Sequence, residues 1–399
     1  MVRAAVCSAS RHSRGRRPSE GATMSTGVQP PANPDPLRET SRYTKVADLS
    51  HGSFGFVQLA RNTETQELVA IKFIERGDRV NRYVEAEILN HRMLRHPHVI
   101  EFKEVFITSE YICIAMEFAS GGSLFTYVQR AVRLKEAASR WFFQQLIIGL
   151  DYCHRRGVVN RDIKLENTLL QMVQGLPLPL LKICDFGYSK AHFMSAPKSK
   201  VGTLAYMAPE IIRATGNYDG KKADIWSCGV MLYVMLFGQY PFETQQPGGP
   251  KLEPDRRIRT MMDRIVNMQW SIPNGIEISA ECRDLLSRML VRNPDERITM
   301  AEIHRHPWFI ANLPVEAVSM NDSYLSDEDY SSVQSVEDIK RILSEAQTPG
   351  PNKYNFDNQG HEGYEDNMID DAIEDEFNEN EQSFNPRAYQ QRGVAAAMQ

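Results

Sequence analysis

Three short motifs in fixed order constrain this chain more than any other feature. They are Asn160-Arg161-Asp162-Ile163-Lys164-Leu165-Glu166-Asn167, then Asp185-Phe186-Gly187, then Ala208-Pro209-Glu210. An Asp and an Asn five residues apart can serve a substrate hydroxyl and a magnesium ion respectively. A second Asp holds magnesium on nucleotide phosphates. Those are the parts that transfer of a γ-phosphoryl group requires. Any one triplet arises easily by chance; all three in this order do not. The fold must therefore bring side chains far apart in sequence onto one ligand.

Composition sets the broad class. With 42% hydrophobic and 24% charged residues, the 399-residue chain has the makings of an ordinary globular core. A net charge of -5 supplies no overall attraction for nucleic acid or membrane, and neither is expected as a partner. The longest apolar run, 229–237, is too short to span a bilayer and reads as a buried helix. Cys7, Cys113, Cys153, Cys184, Cys228 and Cys282 are scattered, with no Cys-x-x-Cys pair. That spacing argues against a zinc site and a disulfide framework, and fits a reducing intracellular compartment. Cys184, beside Asp185, reads as a small buried residue, with reactivity toward electrophiles as the alternative.

Along the chain, residues 1–42 are rich in Ser, Pro, Gly and Arg, with almost no apolar periodicity, and read as a disordered extension. Its first part carries Arg3, Arg11, Arg14, Arg16 and Arg17 and no acid. A solvated tail is the main reading and an organelle transit peptide the second; Met24 is an alternative start. Residues 43–118 suit strands broken by one helix. Val57 to Ala60 and Leu68 to Ile74 are β-type runs, while Val84, Ile88, Leu89 and Met93 have helical spacing. Residues 119–309 are mainly helical, with 135–156 and 219–237 the clearest long helices. This order predicts an α+β, two-lobed fold: a small β-rich lobe, a larger helical one and a ligand cleft between them. Residues 310–350 form a further segment. In it, Ser335-Val336-Glu337-Asp338 resembles a capping box, and Val336, Ile339, Ile342 or Leu343, and Ala346 line one face of a helix. So short a helix must dock on the body. Residues 351–399 include an acidic block from 362 to 381 without Lys or Arg. That block reads as solvating disorder, with a docking site for a basic partner as the sharper alternative.

The chemistry then falls to individual residues. Gly52-Ser53-Phe54-Gly55-Phe56-Val57 sits in a strand–turn–strand context, where glycines let backbone N–H groups approach phosphates. Lys72, in Val69-Ala70-Ile71-Lys72, places a point charge on the α- and β-phosphates and needs a carboxylate to orient it. Helical phase favours Glu87, with Glu85 the competitor. Asp162 accepts the hydroxyl proton of the substrate, and Lys164 neutralises charge on the moving phosphoryl group. Asn167 and Asp185 are hard oxygen ligands of the kind magnesium prefers.

Taken together, these residues resemble a eukaryotic protein kinase, with motifs from 43 to 309. Lys164 within Asp162-Ile163-Lys164-Leu165-Glu166-Asn167 looks like the serine/threonine class. Ile183-Cys184-Asp185-Phe186-Gly187-Tyr188-Ser189-Lys190, Tyr218-Asp219-Gly220-Lys221-Lys222-Ala223-Asp224-Ile225-Trp226-Ser227-Cys228-Gly229 and Leu232-Tyr233-Val234-Met235-Leu236 are similar to one group. It is the second subfamily of sucrose-non-fermenting-related kinases, the osmotic- and nutrient-stress kinases of plants and green algae. The helix from Ser335 and the acidic tail resemble its regulatory segments.

The resemblance implies ATP and Mg2+ as cofactors and the γ-phosphoryl transfer of a protein kinase. Val57, Ala70 and Leu169 would sandwich adenine, with Met116 as gatekeeper and Glu117 to Ala119 as hinge. Ser50, Gly52 and Gly55 would lie over the phosphates. Glu210 would pair with Arg297, and Asp224 would brace the catalytic loop. Glu166 would favour basic residues upstream of the target Ser or Thr, and Thr203 would sit in the substrate-docking region. Ser195 and Ser199 match activation-loop phosphorylation positions, with Arg161 as a contact for the phosphate. The implied partners are protein substrates, an upstream kinase and, through the acidic tail, a type-two-C protein phosphatase. A monomer in cytoplasm and nucleus is expected, with the chloroplast as alternative if the Arg-rich start is a transit peptide.

Four positions depart from the family pattern. Ser50 stands where the first glycine of the phosphate loop usually lies. Asn160 replaces a His or Tyr, so a contact to the Asp185 triplet is expected to change. Ser123 replaces a common Glu, and Leu204 a common Pro. None removes a phosphate, metal or hydroxyl ligand. The competing expectation is a kinase-fold docking module without turnover.

Overall fold

The structure, a computed structural model, describes residues 35–52, 55–186, 201–213, 218–243, 253–326 and 333–351. Ser53, Phe54, Gly187, Ser195, Ser199, Cys7 and the acidic block lie outside the described residues.

Five antiparallel strands form the N-terminal sheet, in the order β1-β2-β3-β5-β4: β1 (Tyr43–Gly52), β2 (Gly55–Asn62), β3 (Leu68–Glu75), β4 (Phe102–Ile107) and β5 (Tyr111–Glu117). The β-type run from Leu68 to Ile74 is nearly continuously buried in β3, because the sheet is covered on both faces. One face packs Leu37, Tyr43, Ile71 and Phe73 around Cys113 and Ala115. The other packs Ile74, Val105, Ile112 and Ile114 against Ile88 of helix α1 (Arg82–Arg92). Asn81 caps α1 by accepting from the N–H groups of Tyr83 and Val84.

The C-terminal lobe is helical. Helices α2 (Leu124–Ala131), α3 (Glu136–Arg155) and α4 (Gly220–Phe237) surround a core in which Trp226, Tyr152, Phe142 and Phe143 are fully buried. Helix α4 is apolar around its whole circumference, as its sequence predicts, since it lies at the centre of that core. It is followed by α5 (Pro254–Val266) and α6 (Ala280–Met289). A two-stranded antiparallel ribbon, β6 (Thr168–Gln171) with β7 (Leu180–Ile183), carries the residues just before Asp185. Among the described residues no helix is long and apolar enough to cross a membrane.

Two features exceed the expectation from sequence. The ordered body starts before residue 43: Pro36–Glu39 form a 3-10 turn that buries Leu37, and the Glu39 carboxylate accepts from Ser109 Oγ and N. A single buried leucine carries no periodicity, so the segment is hard to read from its composition. Beyond the lobe, α7 (Met320–Ser326) precedes the helix foreseen from Ser335, which is α8 (Val336–Ala346). Ser335 caps α8 by accepting from Asp338 N at 3.0 Å. Ile339, Ile342, Leu343 and Ala346 are buried in the same cluster as Ile88 of α1.

Candidate active site

Strand β3 delivers Lys72 and helix α1 delivers Glu87 to one point. Lys72 Nζ lies 2.7 Å from Glu87 Oε1 and 4.0 Å from Asp185 Oδ1. The contact selects Glu87 over Glu85. Burial would lower the Lys72 pKa, but the carboxylates of Glu87 and Asp185 outweigh it and push the ammonium above its usual range. Lys72 is therefore cationic wherever the protein is folded, as a phosphate-binding point charge must be.

Opposite it, the loop between α3 and β6 gathers Asp162, Lys164 and Asn167. Asp162 Oδ2 is 2.9 Å from Lys164 Nζ and accepts from Asn167 Nδ2 at 2.5 Å. Burial lifts the Asp162 carboxyl to about 7, against the pull of Lys164. That value suits a group that must accept a hydroxyl proton near neutrality. Because Asn167 donates its amide N–H to Asp162, its carbonyl oxygen remains for a cation. With the Asp185 carboxylate it makes a hard-oxygen donor pair, which fits magnesium.

Two left-handed residues shape this loop. Arg161 has φ 66 and Asp185 φ 60, conformations that cost a side-chain-bearing residue about 1–3 kcal/mol each. Both are held by buried hydrogen bonds. Asp224, at the start of α4, accepts from Asn160 N at 3.1 Å, Arg161 N at 2.8 Å and His154 Nε2 at 2.8 Å. Asn160 is fully buried; it donates Nδ2 to Asp185 O at 2.9 Å and accepts Asp162 N on Oδ1 at 3.1 Å. The contact to the Asp185 triplet thus persists, carried by a neutral amide. Glu210 and Arg297 form a bidentate pair at 2.8 and 2.9 Å, with Arg297 also donating to Lys222 O and Val291 O.

The residues read from sequence as the nucleotide side lie on β1, β2, β3, β5 and β6 and just after β5. Gly52 pairs with Gly55, and Ser50 with Val57. Gly55 has φ 141, and a Cβ there would come within 1.8 Å of Phe73 O, so close backbone packing demands glycine independently of any ligand. Ser50 is exposed, on the edge strand, where its hydroxymethyl group has room. Ala70 pairs with Met116, and Ala119 is buried; Leu169 lies in β6 beside Ser123. Glu117 Oε1 is 2.5 Å from Lys182 Nζ of β7 and its Oε2 accepts from Glu101 N. The Glu117 side chain therefore ties the lobes together, and only its backbone is left for adenine. A lysine within the apolar run Leu180-Leu181-Lys182-Ile183 was the sequence signal for that tie.

On the substrate side, Thr203 Oγ1 accepts from Lys164 Nζ at 3.5 Å. Leu204 is buried in the turn Val201–Ala205, a helical backbone that a proline at 204 would disfavour at Thr203. Ser123 accepts from Thr126 N, so the residue replacing Glu serves as the cap of α2. Burial raises the Glu166 carboxyl, which sits in the field of Tyr206 and Tyr240. Cys184 donates its thiol to Asn167 O, and burial pushes its pKa up, which disfavours the thiolate.

Residues 43–309 match the protein kinase domain. The chain belongs to the protein kinase family. It is 52% identical to the serine/threonine-protein kinase SRK2H of Arabidopsis thaliana over 313 residues, covering 78% of this chain and 84% of that one. It is 50% identical to SRK2A of Physcomitrium patens over 316 residues, with 79% and 87% covered. For SAPK7 of Oryza sativa subsp. japonica the identity is 50% over 313 residues, with 77% and 84% covered. The kinase therefore falls in the SRK2/SAPK group within the family, and the matched stretch holds every residue of the cleft described above.

Proposed function

We propose that this chain is an active serine/threonine protein kinase that transfers the ATP γ-phosphoryl group to protein Ser or Thr hydroxyls. The observation that carries the reading is the simultaneous closure of two contacts. Glu87 orients Lys72 beside Asp185, while Lys164 and Asn167 hold the Asp162 carboxylate.

In this reading Asp162 accepts the substrate hydroxyl proton and aims the oxygen for in-line attack. Lys72 binds the α- and β-phosphates, and Lys164 offsets charge on the moving phosphoryl group. Asp185 and Asn167 would hold Mg2+, which neutralises phosphate charge when bound. Val57, Ala70 and Leu169 enclose adenine under Met116, and the backbone of Glu117 to Ala119 reads its edge. Glu166 contributes to a preference for basic residues upstream of the target. A docking module without turnover would not need Asp162 held by two donors.

Regulation follows the group. Phosphorylation of Ser199, and secondarily Ser195, by an upstream kinase orders the activation loop through Arg161. Helix α8 braces α1 and so keeps Glu87 on Lys72; the shared cluster of Ile88 with Ile339 and Leu343 supports this. The acidic tail recruits a type-two-C phosphatase, the setting is osmotic or nutrient stress, and the kinase acts as a monomer in cytoplasm and nucleus. The test is purified chain with ATP-Mg and a library of Arg-containing Ser peptides. Turnover lost in Lys72→Met supports the kinase reading. Nucleotide binding without turnover in the unmodified chain would favour the docking module. Ser199→Ala should lower activity strongly, and unchanged activity would refute the loop switch.

A further inference from the structure

The C-terminal end of α8 has carbonyls that no helical N–H can reach, and an eleven-residue helix is marginal without external partners. Glu345 O accepts from Thr348 N at 3.2 Å, and the connection that leads from β3 into α1 supplies further donors to this end. Arg76 Nη2 donates to Glu345 O at 3.2 Å and Nε to Thr348 O at 3.2 Å, while Gly77 N donates to Ala346 O at 2.9 Å. The same guanidinium donates through Nη1 to Thr108 O and Ser109 O, both at 3.1 Å. One side chain thus joins three segments: the β3–α1 connection, the β4–β5 turn and the end of α8. All its acceptors are main-chain carbonyls, and a cation there also meets the negative end of the helix dipole.

Packing leaves little freedom at this junction. Gly77 has φ 94 and lies against Pro349, where a Cβ would stand 3.1 Å from Pro349 Cγ. A Cβ on Gly350 would come within 2.8 Å of Ser109 O. The start of α8 is pinned separately: Arg92 Nε, at the end of α1, donates to Gln334 O at 2.5 Å, and the Gln334 amide exchanges two bonds with Val105. Helix α8 therefore runs between two anchors, one in the connection that leads into α1 and one at the last residue of α1.

We propose that Arg76 is a positioning residue for phosphoryl transfer: it caps α8 in trans and, through that helix, fixes the approach of α1 and Glu87 to Lys72. The proposal rests on the reading that α8 braces α1. Lysine cannot replace it, because one ammonium cannot span four carbonyls from two separate segments.

The test is a cycle in the full chain with Arg76→Gln, Arg76→Lys, Leu343→Asp, which undocks α8 at its buried face, and the Arg76→Gln/Leu343→Asp double variant. Turnover number, ATP KM and amide exchange across 339–346 are measured well below each variant's melting temperature. Both Arg76 variants should lower kcat about three- to tenfold and speed exchange in α8. Leu343→Asp should lower kcat at least as much, and adding Arg76→Gln to it should change nothing further. An equal loss from Arg76→Gln with and without Leu343→Asp would overturn the proposal, since Arg76 would then act without the helix. Unchanged kcat in Arg76→Gln with a loss in Leu343→Asp would overturn it while sparing the brace. Unchanged kcat in Leu343→Asp would remove the brace itself and the proposal with it. Full rescue by Arg76→Lys would also overturn it.

Discussion

At the residue scale, the site is decided by a few buried polar side chains and the hydrogen bonds that hold them. Asn160 is the clearest case: one neutral amide joins the loop carrying Asp162 to the backbone of Asp185. Asn160→Leu should lower kcat about 10²-fold or more, because it removes at once the donor to Asp185 O and the acceptor for Asp162 N. Steady-state kinetics with a Ser peptide check this. The same loss is not expected in Asn160→His if the imidazole can donate to that carbonyl. Gly55→Ala should weaken the β1–β2 hairpin and raise the ATP KM, since the new methyl group meets Phe73 O. An unchanged KM with unchanged thermal stability would contradict that contact.

At the scale of elements, β2, β3, α1, α3 and α4 were legible because their patterns are local, whereas the ribbon β6–β7 falls within a span read as mainly helical. Glu136–Arg155 and Gly220–Phe237 lie within a residue of the spans read from periodicity. Lys72, Asp162, Asn167 and Asp185 were legible for a different reason, since spacing alone identifies that chemistry. Arg76 was not: it bonds main-chain carbonyls of residues as distant as Glu345 and Thr348, and a carbonyl has no residue identity to recognise. Gln334, which pairs with the backbone of Val105, escaped for the same reason, and Leu37 because one buried leucine carries no periodicity. Helical phase already favours Glu87 over Glu85, and Glu87 is the one whose carboxylate lies 2.7 Å from Lys72 Nζ. At this scale Ser335→Ala should destabilise α8 by about 1 kcal/mol through loss of its cap. Amide exchange at Ile339 and Leu343 reads that loss directly.

At the scale of the whole molecule, two predictions concern stability. Glu210→Ala leaves Arg297 buried without its carboxylate and should cost about 3–5 kcal/mol in urea unfolding. The second is pH dependence. Burial lowers His96 to about 3 and His98 to about 4, from 6.5. Both rings are neutral in the fold, where His96 meets Asn321 of α7 and His98 meets Leu181 O of β7. The unfolded chain takes up their protons near pH 6.5, so their contribution is complete above that pH and is lost as pH falls toward 4. Unfolding midpoints measured across that window should decline steeply, and less so in His98→Asn.

The central claim is that Asp162 is the group on which transfer turns. Single-turnover phosphoryl transfer to a Ser peptide, measured with the unmodified chain and with Asp162→Asn at saturating ATP-Mg, tests it most directly. The account predicts a transfer step slowed about 10²- to 10⁴-fold with ATP affinity kept within about twofold. Transfer by Asp162→Asn at close to the unmodified rate would contradict it.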